Sequence, residues 1–247
     1  AADPALRRQI GLGEREKVIV YTGSTTFANE GELRDLYAAI ALLNQRGIPT
    51  RLVRTGLASP GFDAGLDFDF KSVVLELGFV AKTLLPRLLA LADVLVQPGR
   101  AGPFNDYRLP SKLPEFLASG RPVILPATNI AALMQDGREA LFLRSGSPEE
   151  IAGHCQRVFA DPALGRRLGE AGAAFARQHF DLTANTGVLL DFYAAVRRQP
   201  PLADWSALRT GAVSAISLLA RLLPRQIDAL PPGSPAAALA SQIESLA

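Results

Sequence analysis

Apolar residues recur along the chain in two alternating periods. Short runs rich in valine, isoleucine and leucine predict strands that are buried on both faces. They lie at residues 17–22, 50–55, 72–77, 93–97, 123–125 and 140–143. Apolar residues at helical spacing predict helices in the intervening and following segments. They lie at residues 31–46, 82–91, 112–119, 131–134, 148–160, 162–178 and 182–197. This alternation indicates an α/β domain of three layers with a mostly parallel sheet.

The segment 100–126 contains the clearest boundary signals. Ser111 is a preferred N-cap residue, so we expect a helix from Lys112 onward. Pro114 falls in its first turn, where a missing N–H would have had no partner in any case. Gly120 can end the helix in a left-handed conformation. The segment is therefore predicted to contain a loop, a short helix and a buried strand.

Polar side chains crowd the start of that helix, at Asp106, Arg108, Ser111, Lys112 and Glu115. A helix start presents unpaired N–H groups and positive potential, which suits a phosphate. Lys112 and Glu115 are three residues apart and share one face of the helix. A cation for phosphate beside a carboxylate for hydroxyl groups is the chemistry of a nucleotide-sugar site.

A glycine and hydroxyl loop, which begins at Gly23 and Ser24, follows the first strand and precedes a helix. This is the usual opening of a mononucleotide-binding unit, although a glycine at a plain turn would look the same. Arg34 either adds positive charge to this loop or is an exposed helix arginine, and we favour the second. Ligands of parallel sheets bind beyond the carboxyl ends of strands. Both this loop and the segment 100–112 follow such ends.

Composition narrows the classes of function. A chain of 247 residues, 48% of them hydrophobic, can bury a full core, and a net charge of +2 argues against a nucleic-acid partner. The single cysteine, Cys155, cannot form an internal disulfide and fits a reducing compartment, so we expect a cytoplasmic protein. His154 and His179 have no histidine or cysteine at ligand spacing, so we expect no metal. No apolar run is long enough to span a bilayer.

The segment 110–123 resembles a known signature. It reads Pro-Ser-Lys-Leu-Pro-Glu-Phe and, after one leucine, Ala-Ser-Gly-Arg-Pro-Val. This is similar to the donor-site motif of retaining glycosyltransferases of the GT-B fold (group 1 or family 4), which has two Rossmann-like halves. The resemblance covers residues 6–196 and implies the donor-binding half. It also implies that Glu115 binds the ribose hydroxyls, while Ser111 and Lys112 hold the diphosphate.

The chain departs from the family motif at one position. The family has an earlier glutamate eight residues before Glu115, where this chain has Tyr107. The neighbouring Asp106 could replace it in contacting the hexose. Alternatively, the chain follows a variant P-S-K-L-x-E-[YF] pattern, which begins at Pro110 and lacks the first carboxylate. The sequence leaves both interpretations open.

Other segments extend the resemblance. Residues 8–13 match the start of the family's second half, so we expect an acceptor-binding N-terminal domain outside this sequence. Gly23 and Ser24 occupy the family's phosphate loop, but the arginine and lysine that the loop often has are absent. In the family, the loop after the third strand packs on the nucleotide base. Phe79 and Val80 therefore either line a base pocket, or Phe79 is a buried turn residue.

The resemblance implies transfer of a sugar from a UDP or GDP carrier to an acceptor hydroxyl, with retention at the anomeric carbon, in synthesis of cell-envelope polysaccharide. Lys112, Ser111 and Arg108 are expected to position the donor and stabilise the departing diphosphate, without a metal or cofactor. One alternative, favoured by Tyr107, is a non-catalytic module that binds nucleotide sugars. Another is a nucleotide-sugar epimerase of the same architecture, which would need acid–base carboxylates and histidines across the cleft.

Residues 200–247 lie beyond the resemblance and beyond the predicted domain of residues 1–199. We predict a helical C-terminal extension, because apolar residues recur at helical spacing with arginines between them. Such a helix, at 203–225, either contacts the inner membrane surface peripherally or packs against a domain. We favour packing.

Overall fold

A computed structural model describes residues 3–198 except 64, 65, 67 and 68. Its centre is a six-stranded sheet with the order β3-β2-β1-β4-β5-β6, in which all neighbouring strands are parallel. The strands are β1 (Lys17–Thr22), β2 (Thr50–Thr55), β3 (Val74–Glu76), β4 (Val94–Val96), β5 (Val123–Pro126) and β6 (Leu141–Leu143). The predicted α/β class with a parallel sheet is confirmed.

Helices cover both faces of the sheet. Those in the described residues are α1 (Pro4–Gln9), α2 (Glu30–Gln45), α3 (Leu85–Leu91), α4 (Leu113–Ala118), α5 (Pro148–Ala160), α6 (Pro162–His179) and α7 (Leu182–Arg198). The apolar sides of α2 and α5 form one buried cluster with the sheet, and those of α1, α3 and α4 form another. Residues of α6 contribute to both clusters. The sheet is therefore buried on both sides, as its apolar strands predict.

The boundaries follow the sequence signals with a few differences. β1 and β2 have the predicted bounds, while β3, β4 and β6 are shorter. The predicted helix 82–91 begins as a 3-10 turn, Lys82–Leu84, and the predicted helix 131–134 is a 3-10 helix, Asn129–Leu133. α1 was not predicted, although Asp3 caps it by accepting the Leu6 N–H at 3.0 Å.

The prediction that Ser111 caps α4 is wrong. Lys112 occupies the N-cap position with a helical backbone, φ −79° and ψ −19°, and no side-chain cap bond forms. The Leu113 N–H instead donates to the Pro110 carbonyl at 3.0 Å, so the chain enters α4 through a turn. A side-chain cap needs an extended N-cap backbone, which this turn does not provide. Gly120, with φ +70°, ends the helix as predicted.

The direction in which strands are added reverses between β1 and β4. From β1 the chain continues to β2 on one side, and it later returns to β4 on the other side. The crevice above such a point is where open parallel sheets bind ligands. The loops that follow β1 and β4 meet there.

The chain divides into two units, residues 1–185 and 186–247. The sheet, helices α1 to α6 and the loops at the crevice belong to the first unit. In the second, the structure describes residues 186–198, which belong to α7. The predicted boundary at residue 199, the helical extension 200–247 and the membrane contact at 203–225 lie outside the described residues.

Candidate functional site

The loop after β1 is held by the loop after β2. The Gly23 N–H donates to the Thr55 carbonyl at 3.2 Å, and the Leu57 N–H donates to Ser24 Oγ at 3.0 Å. Gly56 has φ +87°, and a Cβ there would lie 2.5 Å from the carbonyl carbon of Gly23. The two loops therefore pack backbone to backbone, and the Ser24 hydroxyl helps to fix them.

The side chain of Arg54 stabilises the loop after β2, which packs on the loop after β1. Its side chain is 1% exposed, and its Nη2 donates to the Leu57 carbonyl at 2.7 Å. Its Nη1 donates to the Glu76 carboxylate and, at 3.3 Å, to the Tyr37 hydroxyl. A buried guanidinium is stable only with such partners. Arg54 was not predicted from the sequence, although an arginine near the end of a buried strand indicates that it has buried polar partners.

Lys112 reaches from the start of α4 across the end of β1. Its Nζ donates to the Tyr21 hydroxyl at 2.9 Å and lies 4.3 Å from the centre of the Tyr21 ring. Gly23, with φ +137°, lies beneath it, and a Cβ there would be 3.1 Å from both Cε and Nζ of Lys112. Gly23 thus makes room for the lysine, a reason for a glycine that the sequence did not indicate.

Burial governs the ionisation of this pair. Burial lowers the pKa of Lys112 to about 8; the charge of Arg108 acts in the same direction, and the Glu32 carboxylate acts against them. Burial raises the pKa of Tyr21 to about 12, and the Glu32 carboxylate acts in the same direction. Tyr21 is therefore neutral near pH 7, while Lys112 is mostly protonated.

An open cleft of about 520 Å³ lies beside this lysine at the reversal point of the sheet. Seven of the residues predicted for the site line it, namely Gly23, Ser24, Phe79, Val80, Ser111, Lys112 and Glu115. Phe79 is 78% exposed, so it is not the buried turn residue that was the alternative. The cleft therefore combines a cation, a carboxylate and an accessible aromatic ring.

The other predicted residues do not line this cleft. The Asp106 carboxylate accepts the Gly102 N–H at 3.1 Å and the Thr128 hydroxyl, and these bonds hold its pKa below the usual range. The Tyr107 side chain is 91% exposed. Pro110 lies beside a small apolar pocket at the start of α4. Asp106 therefore joins its own loop to the segment after β5.

Arg108 is paired with Glu32, a residue that sequence reasoning did not single out. Its Nη2 lies 2.9 Å from Glu32 Oε2, and its guanidinium lies over the Phe104 ring at 4.7 Å. Asn105 Nδ2 donates to the other Glu32 oxygen at 2.6 Å. Glu32 occurs in α2 directly before the buried Leu33. A carboxylate beside the buried face of a helix could have indicated that Glu32 pairs with a cation.

Three further points concern Arg34, metal ligands and membrane spans. Arg34 does not line the cleft, as favoured, but it is half-buried rather than exposed, because it pairs with Glu30 and lies over the Phe62 ring. No group of three or more metal-ligating side chains occurs within the part of the chain that the structure describes. Among those same residues, no helix has both the length and the hydropathy of a membrane span.

Comparisons with known proteins place the chain in a family. The family model described as glycosyl transferases group 1 matches residues 16–161. Alpha-D-kanosaminyltransferase from Streptomyces kanamyceticus is 24% identical over 195 residues, which are 77% of this chain and 48% of that protein.

Solved structures share the fold. The Anabaena protein HepE, in complex with UDP and glucose, has a TM-score of 0.63 at 20% identity, over 77% of this chain and 51% of that one. The C-terminal domain of a group 1 glycosyl transferase, LpcC from Francisella tularensis, has a TM-score of 0.51 at 18% identity, over 68% of this chain and 87% of that one. The chain thus spans about half the length of the kanosaminyltransferase and of HepE.

Proposed function

The chain belongs to the group 1 glycosyl transferases and has the fold of their C-terminal GT-B domain, and from this we propose that it binds the nucleotide-sugar donor of a sugar transfer reaction. The observation that carries the proposal is the cleft at the reversal point of the sheet. There Lys112, Glu115 and Phe79 border one space of about 520 Å³. That volume falls in the usual range of small-molecule sites.

Each of these groups suits one part of a nucleoside diphosphate. The exposed Phe79 ring, beside Val80, offers a stacking surface to the base. The Glu115 carboxylate accepts hydrogen bonds from the ribose hydroxyls. Lys112 provides the positive charge for the diphosphate, with Ser111 beside it at the entry to α4.

In the reaction we propose, the bond between the sugar and the diphosphate breaks while an acceptor hydroxyl bonds to the sugar and passes its proton to the departing diphosphate, with retention at the anomeric carbon. Protonated Lys112 stabilises the charge that develops on the departing diphosphate. HepE is described with UDP, so UDP is the first carrier to test and GDP the second. The acceptor is proposed to bind a second domain, because the chain spans about half of its relatives.

One observation favours a second function, a non-catalytic module that binds nucleotide sugars. Where the motif has its first glutamate, Tyr107 is exposed, and the neighbouring Asp106 carboxylate is bonded to Thr128. Tyr107 therefore brings no carboxylate to the hexose. Asp106 accepts its bonds from Gly102 and Thr128 through Oδ1 and does not line the cleft. Sugar transfer by the full-length protein separates the two functions, since a module would bind the donor and transfer nothing.

The donor proposal is tested by isothermal titration calorimetry of the 247-residue chain with UDP and GDP. Replacement of Glu115 by alanine removes the acceptor for the ribose hydroxyls. We expect at least about a tenfold loss of affinity, because hydrogen bonds to a charged group contribute about 1.5–3 kcal/mol. The 2′-deoxy form of the nucleotide, which lacks one hydroxyl, should be affected less.

Glu170→Ala is the matched control, because Glu170 is an exposed carboxylate of α6 that does not line the cleft. It should bind like the wild type. Equal affinity of the wild type and Glu115→Ala would remove Glu115 from the site. A wild type that binds neither nucleotide would contradict the proposed function.

A further inference from the structure

Tyr21 is a buried residue at the carboxyl end of β1 with a polar contact in the candidate site. Its side chain is 1% exposed. Its hydroxyl accepts a hydrogen bond from Lys112 Nζ at 2.9 Å. Nζ lies 4.3 Å from the ring centre, so the ammonium is at the hydroxyl edge of the ring rather than over its face. The hydroxyl therefore holds the lysine by one direct contact.

The partner is neutral, and this leaves the lysine charge available. A carboxylate partner would cancel the charge, as Glu32 does for Arg108 at 2.9 Å. A phenol orients the ammonium without neutralising it. Because the tyrosine titrates only at about pH 12, it stays an uncharged acceptor wherever the lysine is protonated.

The surrounding backbone fixes where the ammonium lies. Gly23 admits Cε and Nζ of Lys112, since a Cβ there would approach both to 3.1 Å. Gly56 in turn lets its own loop support the backbone of Gly23. The tyrosine thus holds the ammonium above Gly23, at the edge of the cleft.

We propose that Tyr21 is a positioning residue, which holds the Lys112 ammonium where the diphosphate of a nucleotide-sugar donor binds. The inference rests on the proposed function for the identity of the ligand. The contact between the two side chains can be tested without any ligand. Tyr21 acts through Lys112, so its removal should have no effect once the lysine is gone.

The first test is an NMR titration of the lysine ammonium groups in the free chain, with Lys112→Met used to assign the signal. Tyr21→Phe removes the hydrogen-bond acceptor and keeps the ring. Since the acceptor favours the charged form, we expect the Lys112 titration to move to lower pH than in the wild type. An unchanged midpoint would overturn the inference.

The second test is a calorimetric double-mutant cycle with UDP and uridine. We expect Tyr21→Phe to weaken UDP by about 3- to 10-fold, the scale of one hydrogen bond, with uridine unaffected. In the Lys112→Met background the same change should have no further effect. Equal losses for UDP in both backgrounds, or equal losses for UDP and uridine, would contradict positioning.

Tyr37→Phe is the matched control. It disturbs Arg54, to which the Tyr37 hydroxyl is bonded at 3.3 Å, without touching Lys112, so it should leave the lysine titration unchanged. Tyr193→Phe is the control for UDP affinity, because Tyr193 belongs to the other unit and its side chain is 54% exposed. It should change neither quantity. If Tyr21→Phe does not fold, nuclear Overhauser contacts between the Tyr21 ring and the Lys112 side chain of the wild type test the pairing, and their absence would overturn the inference. A wild type that binds no UDP would refute the diphosphate role, while a shifted lysine titration would still support the contact.

Discussion

Lys112 and Arg108 belong to the same segment, and both are predicted to hold a diphosphate, yet their surroundings differ. Lys112 Nζ is hydrogen-bonded to a neutral phenol at 2.9 Å. Arg108 Nη2 is paired with a carboxylate at 2.9 Å. The first cation is hydrogen-bonded to a neutral group, while the second is held in an ion pair. The contrast teaches that a cation's partner, as much as its position in a motif, decides whether it can bind an anion.

The contacts around Arg108 hold its loop in place. Glu32 joins Arg108 to Asn105, and the hydroxyl of Thr128 joins the loop to the end of β5 through Asp106. Gly99 admits the Glu32 carboxylate, since a Cβ there would lie 2.9 Å from Oε1. These contacts fix the loop that leads into α4, so Arg108 supports the site by holding its shape.

The largest effect is expected from Lys112→Met. Affinity for UDP should fall by about 10- to 100-fold, since bonds to charged groups contribute about 1.5–3 kcal/mol, while uridine should bind as before. The lowered pKa of Lys112 means that folding disfavours its ammonium. The variant should therefore unfold at the same temperature as the wild type or higher. Calorimetry and thermal unfolding measure the two effects.

Lys71→Met provides the control, because Lys71 is exposed and does not line the cleft. It should change neither affinity. If Lys112→Met weakened UDP and uridine equally, or lowered the unfolding temperature strongly, Lys112 would be a structural residue and the comparison with Arg108 would lose its basis.

A smaller effect is expected from pH. Lys112 is charged below its folded pKa of about 8, and a bound diphosphate raises that pKa by favouring the charged form. UDP affinity should therefore be highest below pH 8 and fall by about tenfold between pH 7 and 9, because the bound state retains a proton that the free state has lost. Uridine affinity should stay flat. Calorimetry at three pH values measures both, and a flat UDP profile would contradict the titration of Lys112.

The strands and most cleft residues were predictable because they depend on local patterns. Apolar runs with flanking turn residues predicted β1 and β2 with the observed bounds. The separation of Lys112 and Glu115 placed both on one helix face, and both line the cleft. Such features need only periodicity and the rule that ligands bind beyond strand ends.

The remaining features depend on pairs that are distant in the sequence. No residue near Arg108 in the sequence indicates that Glu32 of α2 pairs with it. Likewise, no residue near Tyr21 indicates that its hydroxyl contacts Lys112. Arg54 likewise needs Glu76 and Leu57 to explain its burial. The turn that displaces the cap of α4 is local, but residue preferences favour Ser111 and do not report backbone angles.

The smallest effect on binding is expected from Arg108→Gln, the change that tests the anchored side of the comparison. UDP affinity should change by less than about threefold, because Arg108 does not line the cleft. Stability should change more. Glu32 loses one of its two partners, and a largely buried acceptor left without a partner costs about 1–3 kcal/mol.

The double variant Glu32→Gln, Arg108→Gln removes both charges and should unfold at a higher temperature than Arg108→Gln alone. Thermal unfolding and UDP titration of the three proteins measure this, and a tenfold loss of UDP affinity in Arg108→Gln would make Arg108 a ligand of the diphosphate after all.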